Sequence, residues 1–258
     1  MCDILITALQ IYPILNRIGR SGKGKQFMKN FADYFDHTVL SPQTTPKDLK
    51  KVCEDAIVYG FHSVAVNTGM VELCASYLKG SHVKVDAAVG FPLGITTIAC
   101  KVAEAREAIQ NGAAEVDYVV NIGKVKSGDF DYIREEMKQI VALCREKQVL
   151  SKVIFENCYL TDEEKRALCS VALEVMPDYI KTSTGFGTGG ATVEDVRLMK
   201  SAVGDKIRVK ASGGIKSLET CLAMLDAGAE RIGCSSSVSI LQAYEKQLVH
   251  IKIKEEQK

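Results

Sequence analysis

The sequence predicts a closed α/β barrel of the (β/α)8 type, a TIM barrel, and three observations carry that prediction. From Phe35 onward, short β-rich runs alternate with amphipathic helical stretches eight times over, which is the pattern of a barrel built from strand-then-helix units. The strand runs are rich in Val and Ile, as expected of parallel strands covered on both faces. The turn after the first run, Leu40-Ser41-Pro42-Gln43-Thr44, has no glycine. A doubly wound sheet, the competing architecture, usually has fewer units and carries its glycine fingerprint there.

Taken in order, the strand candidates are Phe35–Leu40, His62–Asn67, Val83–Val89, Glu115–Asn121, Lys152–Asn157, Asp178–Ser183, Arg208–Ser212 and Arg231–Cys234. The helical windows between and after them are Pro46–Tyr59, Met70–Lys79, Ile98–Asn111, Phe130–Lys147, Asp162–Met176, Val193–Ala202, Ser217–Ala227 and Ser237–Ile251. Thr45-Pro46 sets a capping hydroxyl before a proline at the first helical position. Thr161-Asp162-Glu163-Glu164 sets a hydroxyl and three acids at a positive helix start. Gly60, Gly80, Gly112 and Gly228 stand where helices end and a positive φ is often required. Residues 1–34 fall outside the repeat. Gly19-Arg20-Ser21-Gly22-Lys23-Gly24-Lys25 reads as a flexible basic linker. We expect residues 1–34 to form an N-terminal helical extension packed on the barrel bottom, and residues 35–258 to form the catalytic barrel.

Composition narrows the function. The chain has 258 residues, 47% hydrophobic and 25% charged, the balance of a soluble globular protein. Lys+Arg total 33 and Asp+Glu 32, a formal charge of +1. No global basic field draws nucleic acid or an anionic membrane, so any anion site is local. No run approaches the roughly 18 apolar residues of a membrane span, and the start lacks the marks of a signal peptide. Nine cysteines with no Cys-x-x-Cys spacing read as reduced, mostly buried thiols, which points to the cytoplasm.

The chemistry is concentrated in the strands. Side chains alternate faces along a strand, so the apolar set Val116, Tyr118 and Val120 meets the helices and turns Glu115 and Asp117 into the barrel. The same parity sends Lys152, Glu156, Lys181 and Lys210 inward, and Asp36 with them. A purely structural barrel fills those layers with aliphatic residues. One reading is an internal salt-bridge network that fixes the strands. The other is a reactive amine. Lys181 and Lys210 each close an apolar strand and run into glycine-rich residues, on successive strands roughly 4.8 Å apart. Two ammonium groups about 6 Å apart at an effective dielectric of about 20 repel by roughly 3 kcal/mol, enough to move one amine about 2 pK units toward neutrality. A neutral amine attacks carbonyls and forms Schiff bases.

Three glycine-rich turns follow strands six, seven and eight: Gly185-Phe186-Gly187-Thr188-Gly189-Gly190, Gly213-Gly214-Ile215 and Gly233-Cys234-Ser235-Ser236-Ser237. Glycine admits close backbone approach to an anion, a helix start adds partial positive charge, and the last two loops of a barrel are the usual phosphate cradle. Lys216 adds a charge there or is simply solvated. Phe91-Pro92-Leu93-Gly94 reads as an apolar turn that helps wall the site. His37, His62, His82 and His250 make no metal-binding pair and no Cys/His cluster has zinc spacing. His37 is expected to serve the core. There is no Gly-x-Ser-x-Gly, P-loop or dinucleotide fingerprint.

These motifs resemble those of deoxyribose-phosphate aldolases, class I aldolases with a TIM-barrel fold. The resemblance runs from about Phe35 to Ile240 and is carried by Asp36-His37-Thr38, Gly90-Phe91-Pro92-Leu93-Gly94, Gly112-Ala113-Ala114-Glu115-Val116-Asp117, Lys181-Thr182-Ser183-Thr184-Gly185-Phe186, Lys210-Ala211-Ser212-Gly213-Gly214-Ile215 and Arg231-Ile232-Gly233-Cys234-Ser235. It implies reversible cleavage of 2-deoxy-D-ribose 5-phosphate to D-glyceraldehyde 3-phosphate and acetaldehyde, within deoxyribonucleotide and carbohydrate catabolism. It implies Lys181 as the Schiff-base lysine, Lys210 as the cation that lowers its pKa, and Asp117 as the acid that moves protons. Asp36, Thr38 and Thr184 match positions near the substrate hydroxyls, and Gly185, Gly213, Gly214, Gly233, Ser235 and Ser236 match the phosphate cradle. No metal or organic cofactor is implied, and a homo-oligomer, dimer or higher, is. Three positions depart from the family pattern. Ala65 and Thr68 replace a Cys-x-x-Pro at strand two, and Phe186 stands where some members carry a phosphate-contacting lysine. The alternatives are another phosphate-binding barrel enzyme and a non-catalytic sugar-phosphate sensor. The role of residues 1–34 is not legible.

Overall fold

The computed structural model describes residues 31–256. The expected N-terminal linker, and all of the extension before Phe31, lie outside the described residues; Phe31–Tyr34 form one 3-10 turn. Eight parallel strands follow: β1 (Phe35–Val39), β2 (Ser63–Asn67), β3 (Lys84–Val89), β4 (Glu115–Val119), β5 (Leu150–Ile154), β6 (Tyr179–Lys181), β7 (Arg208–Ser212) and β8 (Arg231–Cys234). They close in chain order, with β8 paired to β1. The helices are α1 (Pro46–Tyr59), α2 (Val71–Leu78), α3 (Ile98–Gln110), α4 (Ile122–Lys126), α5 (Phe130–Glu146), α6 (Asp162–Val175), α7 (Val193–Val203), α8 (Leu218–Asp226) and α9 (Ser237–Glu256). This is the (β/α)8 barrel that the alternating pattern predicts.

Local chemistry sets the ends. Thr45 and Thr161 each form a full capping box, with Asp48 and Glu164 reaching back to the cap backbone. Gly60 ends α1 in the left-handed region at φ 70°. Two expectations needed correction. The fifth strand starts at Leu150 and stops at Ile154, because the chain then turns through Glu156, which sits at φ 58°. The sixth strand is only Tyr179–Lys181; Thr182 still donates to Lys210 O and accepts from Asn157 N–H before the chain turns into the glycine-rich loop. The short helix α4 had no sequence signal.

The apolar core lies between sheet and helices. Val64, Val66, Val85, Ala87, Val116, Tyr118, Val153, Ile180, Val209 and Ile232 face outward and are fully or almost fully buried against residues such as Leu49, Ile133, Ile140, Leu168 and Met199. The inner face is different. Register pairs Asp86 with Glu115, Asp117 with Lys152, Lys181 with Lys210 and Lys210 with Arg231. The interior is therefore a charged layer, as strand parity predicts.

Candidate active site

At the C-terminal mouth of the barrel lies a cavity of about 340 Å³. Its wall is made by Thr38 at the end of β1, Lys181 and the β6 exit (Thr184, Gly185, Phe186), the β7 exit (Ser212 to Lys216) and the β8 exit (Gly233 to Ser235). Lys181 is the one lysine of the charged layer that reaches this cavity; the whole residue is only 3% exposed. Its Nζ donates to Asp117 Oδ2 at 2.7 Å.

Beneath it, the charged side chains share partners. Lys210 Nζ lies 2.6 Å from Asp117, 2.5 Å from Asp36 and 2.9 Å from Asp86. Lys152 Nζ lies 2.6 Å from Asp117, 2.6 Å from Glu115 and 2.8 Å from Asp86. Arg231 Nη1 donates to Asp36 at 2.6 Å and to Glu115 at 3.2 Å. Ser63 adds a hydrogen bond to Asp36 at 2.6 Å, and His62 one to Glu115 at 2.7 Å. Charges this deep persist because each is paired several times.

The environment tunes the two lysines in opposite directions. Burial pushes the Lys181 amine below its usual range; Asp117 works against that, and Lys210 reinforces it. Lys210 is held above the ordinary lysine range, because Asp117, Asp36 and Asp86 together outweigh its burial. Desolvation is thus the leading cause at Lys181, with the neighbouring cation second among the forces that favour the free amine. Asp117 stays ionised far below the usual carboxylate range: burial opposes this, and Lys152, Lys181 and Lys210 overcome it. The result is a buried amine whose charged form is disfavoured, beside a carboxylate that stays ionised.

The anion side is built from backbone. Ala191 N donates to Ser212 O and Gly213 O, each at 3.0 Å, which staples the β6 exit loop to that of β7. A Cβ on Gly190 would meet Gly213 O at 2.3 Å, so only glycine fits at that contact. Gly213 and Gly214 have φ of 84° and 77°. Glu156 accepts from the Thr184 backbone N–H at 3.1 Å and from the Thr184 hydroxyl, and Phe186 N donates to that hydroxyl at 3.0 Å. The Phe91 ring meets Phe186 edge-on at 5.4 Å; Phe186 lines the cavity and the Phe91–Gly94 turn backs it from behind without lining it.

Most residues singled out from the sequence converge here, and two do not. Thr38, Thr184, Gly185, Gly213, Gly214, Gly233 and Ser235 line the cavity with Lys181. Asp117 and Lys210 sit directly under it. Asp36 does not reach the wall; it is spent on Lys210, Arg231 and Ser63 in the layer below. Ser236 faces a neighbouring cleft, with His37, between β1 and the flanking helices α1 and α9. Sequence reading passed over Asp86 and Arg231. Both were findable: Val85, Ala87 and Val89 alternate outward around Asp86, and Arg231 precedes the outward Ile232.

The family comparison agrees with this geometry. A profile described as DeoC/LacD family aldolase matches residues 31–243. The chain belongs to the DeoC/LacD aldolase family. Within it, the chain is 52% identical over 219 residues to the deoxyribose-phosphate aldolase of Lactobacillus acidophilus, covering 85% of this chain and 92% of that one. It is 52% identical over 215 residues to the enzyme of the same name from Thermococcus gammatolerans, covering 83% and 96%. Among solved structures, the aldolase called QR15 superposes with a TM-score of 0.81 at 40% identity, covering 86% of this chain and 99% of that one. The deoxyribose phosphate aldolase of Aeropyrum pernix, described as a tetramer, superposes with a TM-score of 0.78 at 30% identity, covering 83% and 90%. As an aldolase of this family, the chain is a carbon–carbon lyase on a TIM barrel.

Proposed function

We propose that this aldolase reversibly cleaves 2-deoxy-D-ribose 5-phosphate to D-glyceraldehyde 3-phosphate and acetaldehyde through a Schiff base on Lys181. The observation that carries the reading is a single buried amine at the floor of a 340 Å³ cavity, 2.7 Å from an ionised carboxylate and roofed by a glycine cradle. Burial favours the uncharged amine, the form that attacks the C1 aldehyde of the open-chain sugar. Loss of water from the carbinolamine gives an iminium, an electron sink two bonds from the C2–C3 bond. Asp117, with a water, takes the C3 hydroxyl proton as that bond breaks. Glyceraldehyde 3-phosphate departs, the enamine is protonated at C2, and water releases acetaldehyde from Lys181. The β7 and β8 exits, with Gly185 and Ser235, offer backbone N–H groups to the phosphate. Thr38 and Thr184, both on the cavity wall, are the residues the reading assigns to the sugar hydroxyls. The lysine supplies the covalent catalysis itself, so the reading requires no added cofactor.

Substrate with borohydride tests this. Peptide mass spectrometry is expected to show a reduced two-carbon or sugar-phosphate adduct on Lys181 alone. Lys181→Met is expected to lose the adduct and lower kcat on the order of 10⁴-fold or more. An adduct elsewhere, or turnover retained in Lys181→Met, removes the mechanism. A homo-oligomer in a reducing cytoplasm is part of the reading. The tetrameric Aeropyrum pernix relative and the eight free thiols among the described residues support it. Light scattering of the purified chain checks the assembly.

A further inference from the structure

The charged layer holds four acids (Asp36, Asp86, Glu115, Asp117) and four bases (Lys152, Lys181, Lys210, Arg231), all at most 3% exposed. With every group ionised the layer is neutral. The proposed chemistry needs Lys181 as the free amine, which would leave one uncompensated negative charge in the interior, a costly state. One of the four acids must then hold a proton.

Geometry singles out one. Asp36 has Ser63, the shorter contact of Arg231 and a 2.5 Å contact to Lys210, and Glu115 has His62, Lys152 and the longer contact of Arg231. Asp117 has Lys181 in addition to Lys152 and Lys210. Asp86 has only Lys152 and Lys210, and both are shared with stronger claimants. Asp86 and Asp117 are held by the same two ammonium groups, Lys152 and Lys210, so their negative charges sit close together and disfavour full ionisation of both.

We propose that Asp86 is the counterweight of Lys181, protonated whenever Lys181 is a neutral amine or enamine and ionised whenever Lys181 is a cation. This deepens the Schiff-base reading and rests on it. The proton balance closes over a full cycle. When the carbinolamine loses its hydroxyl, the C–O bond breaks, the proton of Asp86 leaves with that oxygen as water by way of Asp117, and the iminium forms beside an Asp86 carboxylate. When the C2–C3 bond breaks, its electron pair neutralises the iminium to the enamine, and the C3 hydroxyl proton passes from Asp117 back to Asp86. Protonation of the enamine at C2 and hydrolysis of the product imine repeat the two halves. Asp86 touches no reacting atom; it is a positioning residue for charge, acting through Asp117 and Lys210.

The groups that face Asp86 are Asp36 on β1, Glu115 and Asp117 on β4, Lys152 on β5, Lys181 on β6 and Lys210 on β7. Burial first, and the Asp117 charge second, raise Asp86 to about 6. Asp36 and Asp117 lie far below the carboxylate range and Glu115 at about 2. Asp86 is therefore the member of the set that exchanges a proton near neutrality.

The test is kcat/KM against pH for wild type and Asp86→Asn, with infrared spectra of Lys181→Met. Wild type is expected to give a bell, its alkaline limb marking loss of the shared proton. Asp86→Asn is expected to lose that limb, whereas a merely structural role would lower the curve without changing its shape. In Lys181→Met, where the cation is permanently gone, a carboxylic-acid C=O band is expected to appear at neutral pH. That band should survive Glu156→Gln, the other raised carboxyl facing Lys181, and vanish with Asp86→Asn. If Asp86→Asn does not fold, the band in Lys181→Met decides. Identical limbs in the two proteins, or no band gained in Lys181→Met, overturns the inference. Borohydride trapping is run alongside. An adduct on Lys181 together with either negative result sinks this inference alone, and no adduct sinks it with the Schiff-base reading.

Discussion

Lys181 and Lys210 are chemically identical and adjacent in register, yet their surroundings drive them apart. Lys181 has one carboxylate partner; Lys210 has three. A Lys210→Met exchange would remove the cation that opposes a charge on Lys181 and would free the acids it neutralises. Both changes let Lys181 hold its proton more tightly. The acid limb of kcat/KM is expected to move to higher pH by about 1–2 units, measured with a coupled NADH assay across pH. An unmoved limb would mean that burial alone tunes the nucleophile. Strand parity read Asp117, Lys181 and Lys210 correctly as interior residues, because their outward neighbours are all apolar. It did not rank the causes, since the depth of Lys181 depends on loops from four strands that no local pattern reveals. Nor could parity tell that Asp36 stops one layer short of the cavity, because facing inward does not fix height along the barrel axis.

The loops after β6 and β7 act as one element. Their backbones touch at Gly190 and Gly213, and the Ala191 N–H fastens them. In Gly190→Ala the new methyl would sit 2.3 Å from Gly213 O and 2.5 Å from its carbon, both backbone atoms that cannot rotate away. The loops must separate and the cradle with them. The KM for the phosphorylated sugar is expected to rise about tenfold or more, with stability falling by about 1–3 kcal/mol. Unphosphorylated 2-deoxyribose, which makes no use of the cradle, should be much less affected; an equal loss for both sugars would place the damage elsewhere. Elements with strong local signals were legible from sequence: the capping boxes of Thr45 and Thr161 fixed helix starts to the residue, and the glycines at 60, 80, 112 and 228 all take positive φ. The ends of β5 and β6 were not legible. They are set by the left-handed turn at Glu156 and its grip on Thr184, an interaction across two loops.

Across the molecule, two buried groups respond to acid in opposite senses. His37, packed against Phe61 and faced by Asp55 and Lys51 of α1 and by the Cys234 backbone of β8, is pushed by burial from 6.5 to about 4. Between those values the unfolded chain binds the extra proton, so this group's contribution to stability is lost as pH falls from about 6.5 to 4. Asp86 is raised from 3.8 to about 6, chiefly by burial. Here the folded chain binds the extra proton, so its contribution is present at low pH and is lost as pH rises through the same window. Each effect is about 3 kcal/mol at its full extent, and together they nearly cancel, which flattens the wild-type profile above pH 4. Below that, Asp36, Glu115 and Asp117 must be protonated against four buried cations, and stability falls steeply. Single substitutions expose the opposing slopes. Urea unfolding of Asp86→Asn is expected to show stability declining by about 3 kcal/mol from pH 6.5 to 4, the histidine term alone. His37→Asn is expected to show the reverse, a gain of similar size on acidification over that range. The two variants should therefore show slopes of opposite sign across the window. Parallel profiles for the pair would mean that neither group changes its proton affinity on folding.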